Sequence, residues 1–219
     1  MNRSFFERWL TVDARTLGLF RIYFGLLLLA NLYDRVGGDN LVSFYSNEGL
    51  LPNHYALFRP PAPGFWSLLI GFSSPAEVRL AVGVIALVYF LYTIGWQTRW
   101  MQVLALLCYE SLNFRFLLIQ HGGNVVTAMV MVWTVFLPLG ARYSVDSLLR
   151  SLRLKQDETV EALGARGWLP QLPKSHLGLA FFCICFNFAA IYFFNAIHKN
   201  GVTWQSGDQR GLNGREQLH

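Results

Sequence analysis

Five stretches of this chain are apolar for long enough to cross a bilayer, and no other feature of the sequence restricts its folding so tightly. A hydrocarbon core about 30 Å thick needs roughly 17–25 residues of helix at about 1.5 Å per residue. The runs lie near Leu17–Tyr33, Leu80–Trp96, Met101–Ile119, Val125–Leu139 and Leu177–Ile197. The fourth is short, and Gly122-Gly123 before it leaves its start free to bend inward. A further apolar piece, Gly64–Phe72, follows Pro60, Pro61 and Pro63, is too short to span, and reads as re-entrant or interfacial. Backbone groups in lipid must pair within their own segment, and the period-two alternation of a membrane barrel is absent. The expected fold is therefore all-α: an integral membrane helical bundle of about five transmembrane spans, occupying residues 1–208.

Composition agrees. Charged residues make up 14% of the 219, against about a quarter in an ordinary soluble domain. Aromatic residues reach 16%, which suits lipid-facing helices with Trp and Tyr near the headgroups. The basic residues are spread through loops and form no stripe, which argues against a nucleic-acid partner. Cys108, Cys183 and Cys185 all lie inside apolar runs with no metal-ligand spacing, so they read as small buried hydrophobes and no metal site is expected. The charged first sixteen residues, and Tyr33-Asp34-Arg35 after the first run, fit an uncleaved first span better than a signal peptide.

Loop charge sets the orientation. With five spans, one side holds Arg3, Arg8, Arg15, Arg99, Arg142, Arg150, Arg153, Lys155, Arg166 and Lys174. The other holds Arg35, Arg59, Lys199, Arg210 and Arg215, with Arg79 near its boundary. The bias predicts a cytoplasmic N-terminus and an extracytoplasmic C-terminus in a bacterial inner (plasma) membrane. Val145, Leu148, Leu149 and Leu152 recur at helical spacing among basic residues, with Ser144 as a cap and Asp146 in the first turn. That segment reads either as an amphipathic helix on the anionic leaflet or as a cytoplasmic connector. The long loop Gly37–Pro63 carries Tyr45, Leu50, Leu51, Tyr55 and Phe58, which predicts that it packs back on the outer face.

Ionisable groups inside spans are costly and mark candidate sites. Glu110 and Arg115 share the third span but sit about 140° apart around it, so each needs a partner on another helix or a wet cavity. Arg21, one turn into the first span, is expected to snorkel. On the fifth span Asn187, Asn195, His198 and Lys199 fall at about 0°, 80°, 20° and 120°, on one side of the helix. They read as a polar stripe for a head group, or as interhelical hydrogen-bond glue ending in a wetted helix end. His121 lies in Gln120-His121-Gly122-Gly123-Asn124, on the same outer side as Lys199. A lysine partly desolvated there loses basicity and can act as a base near neutrality, beside a histidine that steadies charge. No Gly-rich phosphate loop, Cys-x-x-Cys, His-Glu-x-x-His or Gly-x-Ser-x-Gly motif is present.

Three segments occur in an order that resembles the bacterial HTTM family: Leu19-Phe20-Arg21-Ile22-Tyr23-Phe24-Gly25, then Phe136-Leu137-Pro138-Leu139-Gly140-Ala141-Arg142-Tyr143-Ser144-Val145-Asp146, then Asn195-Ala196-Ile197-His198-Lys199-Asn200-Gly201-Val202-Thr203-Trp204. The membrane region of that family is similar to that of vitamin K-dependent gamma-carboxylase. The resemblance covers roughly residues 10–208, and the Tyr-Ser-Val-Asp of the second segment is its most specific part. It implies five spans with the same orientation. In the carboxylase a lysine after the last span deprotonates reduced vitamin K, and a histidine after the third span stabilises the reactive anion. The resemblance puts Lys199 and His121 in those places, although Gln120 stands where the carboxylase pattern has Asn.

The carboxylase also carries a large extracytoplasmic domain that grips its peptide. No such segment is expected here, because the tail 209–219 is polar and without apolar period, as a truncated or frameshifted end would be. The leading expectation is a membrane protein acting on a reduced quinone, such as reduced vitamin K, or on a lipid head group. Lys199 and His121 are then the catalytic pair, and His198, Asn195, Asn187, Gln120, Asn124, Glu110 and Arg115 bind the head group. The alternatives are a non-catalytic membrane anchor or subunit with a membrane or extracytoplasmic protein partner, and, last, a small transporter with Glu110, Arg115 and Asn187 along a path.

Overall fold

The computed structural model describes residues 13–50, 52–54, 66–115, 121–157 and 174–198. These form seven α-helices and one 3-10 turn, with no strand among the described residues. The helices are α1 (Ala14–Val36), α2 (Asn40–Tyr45), α3 (Pro75–Ile94), α4 (Thr98–Arg115), α5 (Gly122–Thr134), α6 (Val145–Asp157) and α7 (Lys174–His198), and the 3-10 turn is Leu68–Gly71. The regular structure of the described residues is all-helical, and α1 and α3 are each long and apolar enough to cross a membrane.

Helix boundaries follow local chemistry. Asp13 caps α1 by accepting from the Arg15 N–H at 2.9 Å. The second apolar run begins its helix five residues earlier than hydropathy indicates, because Ser74 and Glu77 form a reciprocal capping box around Pro75. It stops at Ile94 because Gly95 adopts the left-handed conformation at φ 75°. Helix α5 ends at Thr134, short of the expected Leu139, with Pro138 unable to extend it.

Packing runs from α1 to α3, α3 to α4, α4 to α5 and α5 to α7, with α2 set against α1 and α3. The inward faces of α1 (Leu17, Phe24, Leu28, Leu32), α3 (Val78, Ala81, Val82, Ile85, Tyr89, Tyr92) and α4 (Met101, Ala105, Cys108, Tyr109, Leu112) form the core. Their outward faces are apolar as well. Tyr23 is 69% exposed and Leu80 70%, with Leu19, Leu26, Val84, Leu87 and Phe90 also uncovered. Helices apolar all round belong in a membrane or a large core. Helix α6 leaves Leu148, Leu149 and Leu152 exposed, and Phe182, Phe186, Tyr192, Phe193 and Phe194 line the exposed surface of α7.

Between α1 and α3 the connecting loop is stitched down, as its apolar residues suggest, but selectively. Tyr45 is fully buried, Leu50 is exposed, and Leu51, Tyr55 and Phe58 lie outside the described residues. Asn53 donates to the Ile70 and Phe72 carbonyls at 2.8 and 2.9 Å. The Ser67 hydroxyl donates to the Ser111 carbonyl at 2.7 Å, and Leu68 N–H to the Ser111 hydroxyl at 2.8 Å. The described end of the short apolar piece is thus a 3-10 turn docked on α4, its open backbone groups satisfied by side chains.

Arg21 corrects the snorkelling expectation. It is 0% exposed and donates to the Leu139 carbonyl at 3.1 Å and the Tyr143 carbonyl at 2.5 Å. Asp146 then ties the α3–α4 corner to α6, accepting from the backbone of Gln97 and Thr98 at 2.8 and 2.7 Å and from the Thr98 hydroxyl at 2.8 Å. Ser144 caps α6 by accepting from Ser147 N–H at 2.9 Å.

Close helix approach depends on small residues. A Cβ on Gly25 of α1 would lie 3.0 Å from the Thr93 Cα of α3, which backbone cannot yield to easily. Gly25→Val is expected to lower stability by about 1–3 kcal/mol through overpacking, read by thermal unfolding in detergent. Gly83→Ala, which meets nothing within 4 Å, should leave the transition unchanged or slightly raised.

Candidate functional site

The interior of the bundle is polar where α1, α2, α3 and α4 meet. The last turn of α1 brings in Arg35, which is buried to 9% exposure. Its Nε donates to the Asn31 carboxamide one turn earlier at 2.8 Å, and its Nη2 to the Asn113 carboxamide of α4 at 2.7 Å. The guanidinium also lies 5.7 Å from the centre of the Tyr109 ring. Both hydrogen-bond acceptors are neutral, and among the described residues no carboxylate pairs with Arg35.

Around this cation stand three phenols. Tyr45 comes from α2, and its hydroxyl lies near Arg35 without a well-formed hydrogen bond. Burial pushes the Tyr45 phenol up from its ordinary value, against the pull of the Arg35 and Arg115 guanidiniums. Tyr89 comes from α3, within electrostatic reach of Arg35, Tyr45 and Tyr109, and its buried hydroxyl has no hydrogen-bond partner. Tyr109 reaches Asn124 of α5, at 3.4 Å from the carboxamide oxygen and 3.5 Å from the carbonyl. Arg115 approaches from the end of α4 and donates to the Tyr45 carbonyl at 3.4 Å.

The residues singled out from the sequence fall at different places. Arg115 finds a partner on another helix. Asn124 is buried in the polar centre, with its Nδ2 unpartnered. His121 is exposed at the start of α5 and caps it, its Nδ1 accepting from Gly123 N–H at 3.1 Å. Glu110 is half-buried and makes no hydrogen bond or ion pair among the described residues, so it does not pair with Arg115. Asn187 donates to the Cys183 carbonyl at 2.8 Å, bonding back onto α7 and not across to a neighbouring helix. Asn195 and His198 belong to the last turns of α7, their side chains outside the description, and Lys199 and Gln120 lie outside the described residues. No group of three or more His, Cys, Asp or Glu residues able to hold a metal occurs among the described residues.

Loop-charge counting assigned Arg35 to the outer surface and passed over it. The signal was Asn31, one turn before Arg35 on the same helix face, a spacing that lets a carboxamide hold a guanidinium. Tyr89 carried no signal, because an apolar run hides its own phenols.

Compared with known proteins, the chain matches no family model, no curated protein and no solved structure.

The Arg35–Asn113 bond sets a stability expectation. Asn113→Leu removes a buried acceptor from a cation and should cost about 2–3 kcal/mol. Asn113→Asp keeps the acceptor and adds a counter-charge, so it should hold or raise the unfolding temperature. Equal losses in both variants, measured by thermal unfolding in detergent, would show that the guanidinium draws nothing from this partner.

Proposed function

We propose that this chain is a five-span membrane protein, similar to the HTTM family, that acts on a reduced quinone or a comparable head group. The observation that carries the reading is the passage from an exposed imidazole to a buried polar interior within one helical turn. His121 stands at the open start of α5, and Asn124, three residues on, meets Tyr109 inside the bundle. Such an arrangement suits a ligand with a phenolic head and an apolar body that enters from lipid.

Several features support the membrane setting. The exposed faces of α1 and α3 are apolar, and α6 presents Leu148, Leu149 and Leu152 beside Arg150, as a helix lying on an anionic leaflet would. Helix α7 packs against α5. If successive spans alternate in direction, the end of α7 that leads to Lys199 meets the end of α5 that begins at His121.

In this reading the neutral Lys199 amine takes the proton from a hydroquinone hydroxyl. The O–H bond breaks, an N–H bond forms, and the His121 imidazole steadies the phenolate that remains. General-base catalysis contributes typically 10²–10⁴-fold in rate. Lys199→Ala should therefore slow aerobic oxidation of a reduced naphthoquinone at least about 100-fold with expression unchanged, and His121→Ala should slow it less. Turnover that is the same in Lys199→Ala and the parent would overturn the assignment.

A second reading is favoured by the uncovered aromatic face of α7. Six large aromatic side chains, Phe182 to Phe194, lie exposed there and could seat another membrane protein, making the chain an anchor or subunit.

A further inference from the structure

The polar centre has hydrogen-bond donors and positive charge in excess of what the described residues supply in return. Arg35 is a buried guanidinium, yet among the described residues its acceptors are the neutral carboxamides of Asn31 and Asn113. A buried cation without an anion is costly, and natural interiors pair it. The Tyr45 hydroxyl, at 0% residue exposure, and the Tyr89 hydroxyl, at 1%, are both buried O–H groups that reach no acceptor. Each such orphan costs free energy on its own, and groups left this way in a folded interior call for a missing partner. Here they share one neighbourhood: Tyr89 feels Arg35, Tyr45 and Tyr109, and Tyr45 feels Arg35. Glu110 is within electrostatic reach of Tyr109, and among the described residues it makes no ion pair with Arg35.

One kind of occupant satisfies all of these groups together. An oxygen anion offers a negative charge to the guanidinium and lone pairs to several O–H and N–H donors, and it donates nothing that would need an acceptor. A cation would be repelled, and a purely apolar group would leave the donors orphaned. We propose that Arg35, with the hydroxyls of Tyr45 and Tyr89, forms a buried binding site for a singly charged oxyanion of carboxylate, phenolate or phosphate type. The site requires neither Lys199 nor any proton transfer, so it goes beyond the quinone reading and stands or falls separately from it.

The test uses the full chain purified in an uncharged detergent, with thermal unfolding followed while sodium benzoate or sodium phosphate is titrated at constant ionic strength against sodium chloride. A ligand that binds only the folded state raises the unfolding temperature in a saturable way. The proposal expects such a rise with at least one of the two oxyanions. It also expects apparent affinity roughly tenfold weaker in Tyr45→Phe and Tyr89→Phe, each of which removes one donor and keeps the ring. Asn113→Asp supplies the missing negative charge from within, and its folded protein should lose the response altogether. A parallel titration with phosphatidylglycerol in mixed micelles identifies the source: a shift with lipid and none with inorganic phosphate assigns the oxyanion to a headgroup, and the reverse to a free anion. No saturable shift with any of the three probes would overturn the site. So would an undiminished shift in Asn113→Asp and both tyrosine variants.

Discussion

With its guanidinium sealed between α1 and the turn after α5, Arg21 must take its hydrogen bonds from backbone carbonyls. The carbonyls it takes are those that no helix could satisfy. Leu139 and Tyr143 belong to a stretch after Pro138 in which Tyr143 itself adopts a positive φ of 53°, so its carbonyl points away from any regular ladder. In an apolar interior an unsatisfied carbonyl is costly, and a buried guanidinium alone is costlier. Each offsets the other. Gly18 on α1 approaches the Arg142 carbonyl so closely that a Cβ there would lie 2.7 Å from it, which brings the helix near enough for the guanidinium to arrive. The same turn continues into α6, whose Asp146 holds the backbone of the α3–α4 corner. Arg21 and Asp146 together thereby join α1, the α3–α4 corner and α6, which are far apart in sequence.

The second buried arginine is treated differently. Arg35 is met by side-chain carboxamides and an aromatic face, with phenols nearby that lack acceptors. Backbone carbonyls are fixed in number and position, so the Arg21 arrangement is structural, although its buried Nε finds no acceptor. Side-chain amides and hydroxyls can turn toward a guest, and the Arg35 arrangement keeps donors to offer one. The contrast separates a charge that holds the fold from a charge that could serve binding, within one chain and about 14 residues apart on one helix.

Much of the architecture was legible in the chain itself. The apolar runs announced α1, α3, α4, α5 and α7, since a helix needs only local hydrogen bonds and a continuous apolar surface to exist in lipid. The boundaries were less legible where capping intervened: Ser74-Pro75 and Glu77 began α3 ahead of its hydropathy, and Gly95 ended it. The amphipathic spacing and Ser144 cap of α6 were readable because they depend on residues one turn apart. Helix α2 was not, because six residues ending in Tyr45 form a helix only against the α1 and α3 they pack upon.

What the sequence determined by itself was therefore the set of longer helices, α2 excepted, and the apolar surface they share, both of which follow from interactions within a few residues. It also flagged Glu110 and Arg115 as charges in need of partners, without saying which, and sent Arg21 to the surface. Only tertiary structure decided those partners: Leu139 and Tyr143 stand 118 and 122 residues from Arg21, and Asn113 stands 78 residues from Arg35. Whether a buried charge meets a carbonyl, a carboxamide or nothing depends on helix rotation and depth. Those are set by how side chains interlock across the whole bundle, and no local pattern of residues encodes them.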